Sequence, residues 1–165
     1  MLADLPALAR WHADAEFVRR YDARPAFPAT EGALADWLTE QQRAPNAYVF
    51  AIWLLEGDEL IGYLEVEGIL WAHRVGGLSI AIPDRAQQGH GYGREALQLA
   101  LGFCFRELNL ERVQLTVFSY NERAIRLYEG LGFQREGIFR EFLLRDGRRY
   151  DMLLYGLLRR EWQGA

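Results

Sequence analysis

The chain has 165 residues, 50% of them hydrophobic and 25% charged, which is enough to bury the core of one domain over residues 1–165 and excludes intrinsic disorder. Its net charge of −4 disfavours nucleic-acid binding, and its apolar runs are too short to cross a membrane. The single cysteine, Cys104, cannot form an internal disulfide. Together with the lack of an export leader, it predicts a cytoplasmic protein.

Two helical segments are predicted before the first strand. The first has an apolar residue at every third or fourth position. A loose stretch with two prolines, residues 24–28, separates it from the second, for which Thr30 is a suitable N-cap. The apolar residues of the two segments are Leu8, Trp11, Ala15 and Val18, and then Leu34, Trp37 and Leu38.

Three strand-like runs follow the helices. The first two, Tyr48–Leu55 and Leu60–Val66, are joined across Glu56-Gly57-Asp58-Glu59, a sequence that favours a hairpin. The third, Leu78–Ile82, ends at Pro83. The three runs therefore predict neighbouring strands, the first two of them antiparallel.

Three glycines at alternate positions, Gly89, Gly91 and Gly93, lie between the third strand and the next helix. Glycine lets the backbone approach a ligand, and the free amides and dipole of a helix N-terminus favour an anion. The loop therefore predicts a pyrophosphate site. A dinucleotide-binding fold is disfavoured, because it needs G-x-G-x-x-G in a parallel βαβ unit and this loop follows a predicted hairpin.

The rest of the chain predicts a helix, a strand, a second helix and a hairpin. The first helix carries an apolar face that includes Cys104, and the strand alternates around Leu115. The second helix begins at Asn121 and ends at Gly132, and Asp146-Gly147 is typical of a hairpin turn. The predicted order is αα-βββ-α-β-α-ββ, an α/β fold with a mixed, mostly antiparallel central sheet flanked by helices.

Three motifs in this order resemble those of the GNAT N-acetyltransferases. Residues 88–93, QGHGYG, match the family loop Q/R-x-x-G-x-G/A, and residues 121–133 resemble its signature N-x-x-A-x-x-L-Y-x-x-x-G-F. Residues 136–158 are similar to the tail of the branch that includes ribosomal-protein N-terminal (RimJ/RimL-type) and spermidine acetyltransferases. The resemblance covers roughly residues 60–162. It implies a GNAT-like fold and acetyl-CoA as co-substrate, with no metal.

The resemblance also implies roles for particular residues. The backbone of residues 80–82 would pair with the pantetheine arm, which Asn121 would bind directly or through water. Tyr128 would stand near the thioester sulfur and return a proton to the departing thiolate. It follows Asn121 by about two helical turns, so both lie on one side of the helix. The predicted CoA contacts are Ile80, Ala81 and Ile82, then Gln88, Gly89, His90, Gly91, Tyr92, Gly93 and Arg94, and finally Asn121.

Two departures from the family pattern concern its first strand and its catalytic base. The family fold begins with a strand before its first helix, and here either that strand is absent or the sequence starts after it. If the strand is absent, Tyr48–Leu55 would form an open edge that needs cover. Many relatives carry a glutamate where this chain has Gly76-Gly77-Leu78-Ser79. The candidate substitutes are Glu65 and Glu67, which alternate on one face of their strand and would act through water. The alternative is a solvated strand face.

The predicted reaction is direct attack of a primary amine on acetyl-CoA in a ternary complex. At pH 7 an α-amine of pKa about 7.7–8.0 loses only about 1 kcal/mol to protonation, whereas a lysine-like amine loses roughly 4–5 kcal/mol. A site without a strong base therefore favours a protein or peptide N-terminus. Polyamines, aminoglycosides and a non-catalytic CoA-binding module stay open as alternatives. The aromatic C-terminal segment, with Tyr150, Tyr155 and Trp162, predicts either a homodimer interface or closure of the core, with a slight preference for the homodimer.

Overall fold

A computed structural model describes residues 2–164 of the chain. Six strands form one sheet, with helices on both of its faces. The elements in chain order are α1 (Leu5–His12), α2 (Ala15–Tyr21), α3 (Glu31–Arg43), β1 (Tyr48–Trp53), β2 (Leu60–Leu70), β3 (Val75–Ala81), α4 (Tyr92–Gly102), β4 (Arg112–Phe118), α5 (Glu122–Glu129), β5 (Gln134–Arg145) and β6 (Arg148–Leu158).

The N-terminal segment differs from the prediction, because it contains three helices rather than two. Asp14 divides the first helical pattern: its side chain accepts hydrogen bonds from the amides of Glu16 and Phe17, at 2.9 and 3.4 Å, and so caps the N-terminus of α2. Thr30 caps α3 as predicted, accepting from the amide of Ala33 at 3.2 Å. Helical periodicity continued through Asp14 and did not reveal the break.

The sheet has the order β1-β2-β3-β4-β6-β5. All neighbouring strands are antiparallel except β3 and β4, which confirms the mixed, mostly antiparallel sheet. No strand precedes β1 within residues 2–47, and β1 forms one edge of the sheet. The strand that the family normally places first is therefore missing from the described part of the chain.

The strands β3 and β4 separate partway along their length. Their parallel pairing runs only from Val75–Gly77 to Arg112–Gln114 and then stops, although both strands continue. The outer partners of both strands keep their registers beyond this point: β3 pairs with β2 as far as Ala81, and β4 pairs with β6 as far as Phe118. The separation therefore opens a gap inside an otherwise continuous sheet.

Two turns follow their predicted chemistry. Asp146 and Gly147 both have positive φ, +49° and +75°, as a tight hairpin turn requires. Helix α5 ends earlier than predicted, with Gly130 as its C-cap, and Gly132, at φ +93°, lies two residues beyond it, where the amides of Gly132 and Phe133 bond back to the carbonyls of Glu129 and Tyr128. These bonds fix the C-terminal end of α5, which carries Tyr128.

Apolar side chains fill both faces of the sheet. On one face α4 and α5 pack over a core that includes Cys104, and on the other α1, α2 and α3 pack over a core that includes Tyr63. The C-terminal aromatic residues close the first core: Tyr155 is fully buried, and the Trp162 ring lies 5.3 Å from that of Phe105. The side chain of Tyr155 is thus not part of a dimer surface, whereas Trp162 is half-buried against the core, and a homodimer stays a prediction.

No helix within residues 2–164 is both long and apolar enough to span a membrane. Cys104 is fully buried and unpaired, as expected from a lone cysteine. The cytoplasmic location inferred from it stays a prediction.

Candidate active site

The glycine loop has the backbone geometry of an anion site. Gly89 and Gly91 have φ of +91° and +92°, a conformation that favours glycine. The first bonds at the start of α4 run from the amides of Arg94 and Glu95 to the carbonyl of Gly91, at 2.9 and 3.1 Å. The amides of residues 92 and 93 precede those bonds in the first turn, where helix geometry leaves them free for a ligand. The amide of Arg94, predicted to contact pyrophosphate, is already bonded.

Side chains brace the loop from both sides. The Gln88 amide group donates to the carbonyl of Ile82 at 2.7 Å and accepts from the Arg123 guanidinium at 2.8 Å. The Arg94 guanidinium donates to the carbonyl of Gly130 at 3.0 Å, which ties α4 to the end of α5. The side chains of Gln88 and Arg94 therefore hold the loop between β3 and α5.

A cleft of about 410 Å³ starts at this loop and runs into the gap between β3 and β4. His90 is the one predicted CoA contact that does not line it, because its side chain is exposed and stacks on Tyr92. The predicted residues that do line the cleft are Ile80, Ala81, Ile82, Gln88, Gly89, Gly91, Tyr92, Gly93, Arg94, Asn121 and Tyr128.

Helix α5 places Asn121 and Tyr128 on the wall of this cleft. The Asn121 side chain caps the helix, accepting from the amide of Ala124 at 3.4 Å. Tyr128 is 6% exposed, and burial raises the pKa of its phenol to about 12. This phenol therefore stays protonated at neutral pH and can donate a hydrogen bond there.

A second cavity, of about 560 Å³, lies on the other side of the gap, under α1, α2 and α3. Its walls combine aromatic side chains, among them Trp37 and Tyr63, with the carboxylates of Asp22, Glu65 and Glu67. Four residues line both cavities and mark where they meet: Tyr21, Leu78, Ser79 and Thr116. A molecule in the second cavity would therefore face the inner end of the first.

Glu65 and Glu67 both line the second cavity, but their environments differ. Glu65 is 6% exposed, and burial raises the pKa of its carboxyl to about 7. Glu67 is exposed at the end of the paired part of β2, although partial desolvation raises its pKa as well. The alternative that these side chains lie on a solvated strand face therefore applies to Glu67 and not to Glu65.

Two partners of Glu65 were missed at the sequence level. Tyr21, the last residue of α2, donates its hydroxyl to Oε1 of Glu65. Ser79, which is paired with Glu65 across β2 and β3, donates to the same oxygen at 3.5 Å. The pairing of Ser79 follows from the hairpin register. Tyr21 lies 44 residues from Glu65 in sequence, and no local pattern connects the two.

Comparison with known proteins decides the family. Residues 1–134 match the family model described as "Acetyltransferase (GNAT) domain". This chain is a GNAT acetyltransferase. Family membership makes it an acetyl-CoA-dependent acyltransferase, and the enzyme is favoured over the non-catalytic CoA-binding module.

Individual relatives agree with this assignment of the acetyltransferase. This chain is 30% identical to the SPbeta prophage-derived uncharacterized N-acetyltransferase YokL of Bacillus subtilis, over 91% of this chain and 82% of the relative. It is 25% identical to the ribosomal protein uS5-alanine N-acetyltransferase of Escherichia coli, over 86% and 73% of the two chains. The crystal structure of spermidine N-acetyltransferase from Vibrio cholerae with CoA and spermine superposes with a TM-score of 0.87, at 25% identity over 96% and 92%.

The residues of the first cleft fit acetyl-CoA, the co-substrate of this family. The positive-φ glycines and the start of α4 suit a pyrophosphate, and the gap between β3 and β4 leaves strand edges for an amide-containing arm. Within residues 2–164 no cluster of histidine, cysteine or acidic side chains could hold a metal ion.

Proposed function

We propose that residues 1–165 form one domain that acetylates the α-amine of a peptide or protein N-terminus. The acceptor would enter the second cavity and attack acetyl-CoA directly, with Glu65 accepting a proton from the amine. The observation that carries the proposal is the buried Glu65 carboxyl in the second cavity, where it is bonded to Tyr21 and Ser79 of the junction and burial raises its pKa to about 7.

The match of pKa values favours an α-amine. An α-ammonium group of pKa about 7.7–8.0 lies about one unit above Glu65, so the proton transfer costs about 1 kcal/mol. A lysine-like or polyamine ammonium of pKa about 10.4 lies roughly three units above it, and the same transfer costs between about 4 and 5 kcal/mol. Glu65 is therefore a competent base for a peptide N-terminus and a poor one for a polyamine.

The chain's own residues would divide the remaining work. Backbone amides of the glycine loop would hold the diphosphate, while residues 80–82 and Asn121 would align the pantetheine arm. Acetyl-CoA supplies the activated acyl group when bound. Tyr128 would donate a hydrogen bond to the departing sulfur. Full transfer of its proton to a thiolate of pKa about 8.5 would cost roughly 5 kcal/mol, so the bond and not the transfer is its main contribution.

Direct attack is supported by the state of the one cysteine. Cys104 lies in the helical turn that follows α4 and is fully buried in the core, and burial raises the pKa of its thiol to about 12. It lines neither cavity. An acyl-enzyme on this sulfur would need a thiolate that the site does not provide.

A polyamine is the second candidate, favoured by the carboxylates of the second cavity. Asp22, Glu65 and Glu67 could pair with separate ammonium groups of one acceptor, although Asp22 is already paired with Arg24 at 2.5 Å. The structural relative from Vibrio cholerae acts on spermidine, which is why this candidate belongs in the same assay.

Initial rates of CoA release with three acceptors would test the proposal. The first is a peptide with a free N-terminus, the second is the same peptide with a blocked N-terminus and one lysine, and the third is spermidine. We expect the free N-terminus to give the highest kcat/KM at pH 7. Turnover of only the lysine peptide or spermidine, with kcat/KM still rising above pH 9, would refute the N-terminal assignment.

A further inference from the structure

Tyr21 stands at the junction of the two cavities, although it belongs to neither the glycine loop nor the splayed strands. Its side chain lines both cavities, and its hydroxyl donates to Oε1 of Glu65. Its ring stacks on Phe17 and meets the edge of Tyr63, with both centroids at 5.5 Å. These contacts fix the direction of the hydroxyl toward Glu65.

We propose that Tyr21 is a positioning residue that holds the Glu65 carboxylate, ionised and correctly oriented, where the acceptor amine meets acetyl-CoA. The inference rests on the proposed role of Glu65 as the proton acceptor. A carboxylate that is almost completely buried is stable only with donors, and the phenol of Tyr21 is its main donor. The hydroxyl of Ser79, at 3.5 Å, is the weaker second one.

The bond also fixes which oxygen of Glu65 is free. Tyr21 and Ser79 both donate to Oε1, so Oε2 is the oxygen left for the proton of the acceptor. Without Tyr21 the carboxylate would lose a donor to its charged form, and the proton would bind more tightly. The bond from Tyr21 accordingly lowers the pKa of Glu65 against the opposing effect of burial.

A clamp from the far edge of the sheet holds the chain just after Tyr21. The Arg145 guanidinium donates through one nitrogen to the carbonyls of Asp22, Ala23 and Arg24, at 2.9, 3.2 and 3.2 Å. Beside it, Arg19 of α2 makes a two-bond ion pair with Asp146 at 2.9 Å. The hairpin of β5 and β6 therefore keeps the end of α2 against the cavity.

Other ionisable groups near Glu65 affect its pKa, and their protonation must be followed together with that of Glu65. Glu67 raises the pKa of Glu65 through charge repulsion, and burial lowers the pKa of His12. The ionisable groups that face Glu65 or line its cavity, taken over α1, α2, the following loop and β2, are His12, Tyr21, Asp22, Arg24, Tyr63 and Glu67.

The experiment compares the wild-type protein with Tyr21→Phe by carbon NMR of the Glu65 carboxyl as a function of pH. We expect a midpoint near 7 in the wild type and a midpoint about one pH unit higher in the variant. The acidic limb of kcat/KM should move by the same amount. The matched control is Tyr120→Phe, which also removes a phenol bonded to α2, at the carbonyl of Arg19, and should leave the midpoint unchanged.

An unchanged Glu65 midpoint in Tyr21→Phe, or a rate loss of equal size at every pH, would overturn the proposal. If that variant does not fold, the wild type still provides a test, because the Tyr21 ring carbon that bears the hydroxyl should titrate with the midpoint of Glu65. A ring carbon that does not respond would overturn the proposal too. The NMR measurements need no turnover. They would therefore test the role of Tyr21 even if the acceptor is not a peptide or protein N-terminus.

Discussion

Replacing Glu65 by glutamine should make the protein more stable at alkaline pH while it removes activity. Burial raises the pKa of Glu65 from its usual 4.5 to about 7 in the folded protein. A carboxyl with a raised folded pKa contributes stability below the unfolded pKa and loses it as pH rises through the folded pKa. The window therefore runs from about pH 4.5 to about pH 7.

The size of the effect follows from the shift. A difference of about 2.5 units corresponds to about 3 kcal/mol of unfolding free energy that the ionised wild type lacks above pH 8. Glutamine keeps the shape and can still accept the bond from Tyr21, but it carries no charge to bury. Glu65→Gln should accordingly be about 3 kcal/mol more stable than the wild type at pH 8 and less than about 1 kcal/mol more stable at pH 5.

Urea denaturation of both proteins at the two pH values would measure this difference. The matched control is Glu67→Gln, two residues along the same strand, where the exposed carboxylate should give a much smaller change. In the same preparations kcat of Glu65→Gln should fall about 10²–10⁴-fold at pH 7, as expected when a general base is removed. A stability difference that is equal at pH 5 and pH 8 would refute the assignment of a buried, ionising Glu65.

Gly91→Ala should raise KM for acetyl-CoA about tenfold or more and cost about 1–2 kcal/mol of stability, because its φ is +92°. Gly57→Ala, at φ +85° in the β1–β2 hairpin and outside both cavities, should cost as much stability with no change in KM, and equal KM effects would contradict the loop assignment. Tyr128→Phe should lower kcat by about 10²-fold with KM unchanged, and Cys104→Ala should keep turnover, so loss of turnover only in the cysteine variant would exclude direct attack. Arg145→Gln should raise KM for the acceptor but not for acetyl-CoA, and a change in both would show general unfolding.

Much of the fold could be predicted from local patterns. The alternation of apolar and polar residues predicted β4, and the capping residues Thr30 and Asn121 predicted the starts of α3 and α5. The spaced glycines predicted the loop before α4, and Asp146-Gly147 predicted the last hairpin turn. The break at Asp14 was missed because apolar spacing alone continues across it, while the cap depends on a backbone conformation that spacing does not encode.

The cofactor side of the site was also predictable, since its residues are consecutive in sequence and their roles depend on the backbone. His90 shows the limit of this reasoning: its position in the loop was correct, but its side chain points away from the cleft and stacks on Tyr92. Loop membership determines where a backbone lies and does not determine where a side chain turns.

Local sequence patterns were enough to predict that a strand, a glycine loop and a helix N-terminus come together, because these elements adjoin along the chain. The residues of the second cavity, in contrast, come together only in the tertiary structure. Glu65 acquires its shifted pKa only when α2 covers β2, and Tyr21 reaches it across 44 residues of sequence. Desolvation and long-range hydrogen bonds depend on what packs above a residue, so the same glutamate on an uncovered strand would be an ordinary surface charge.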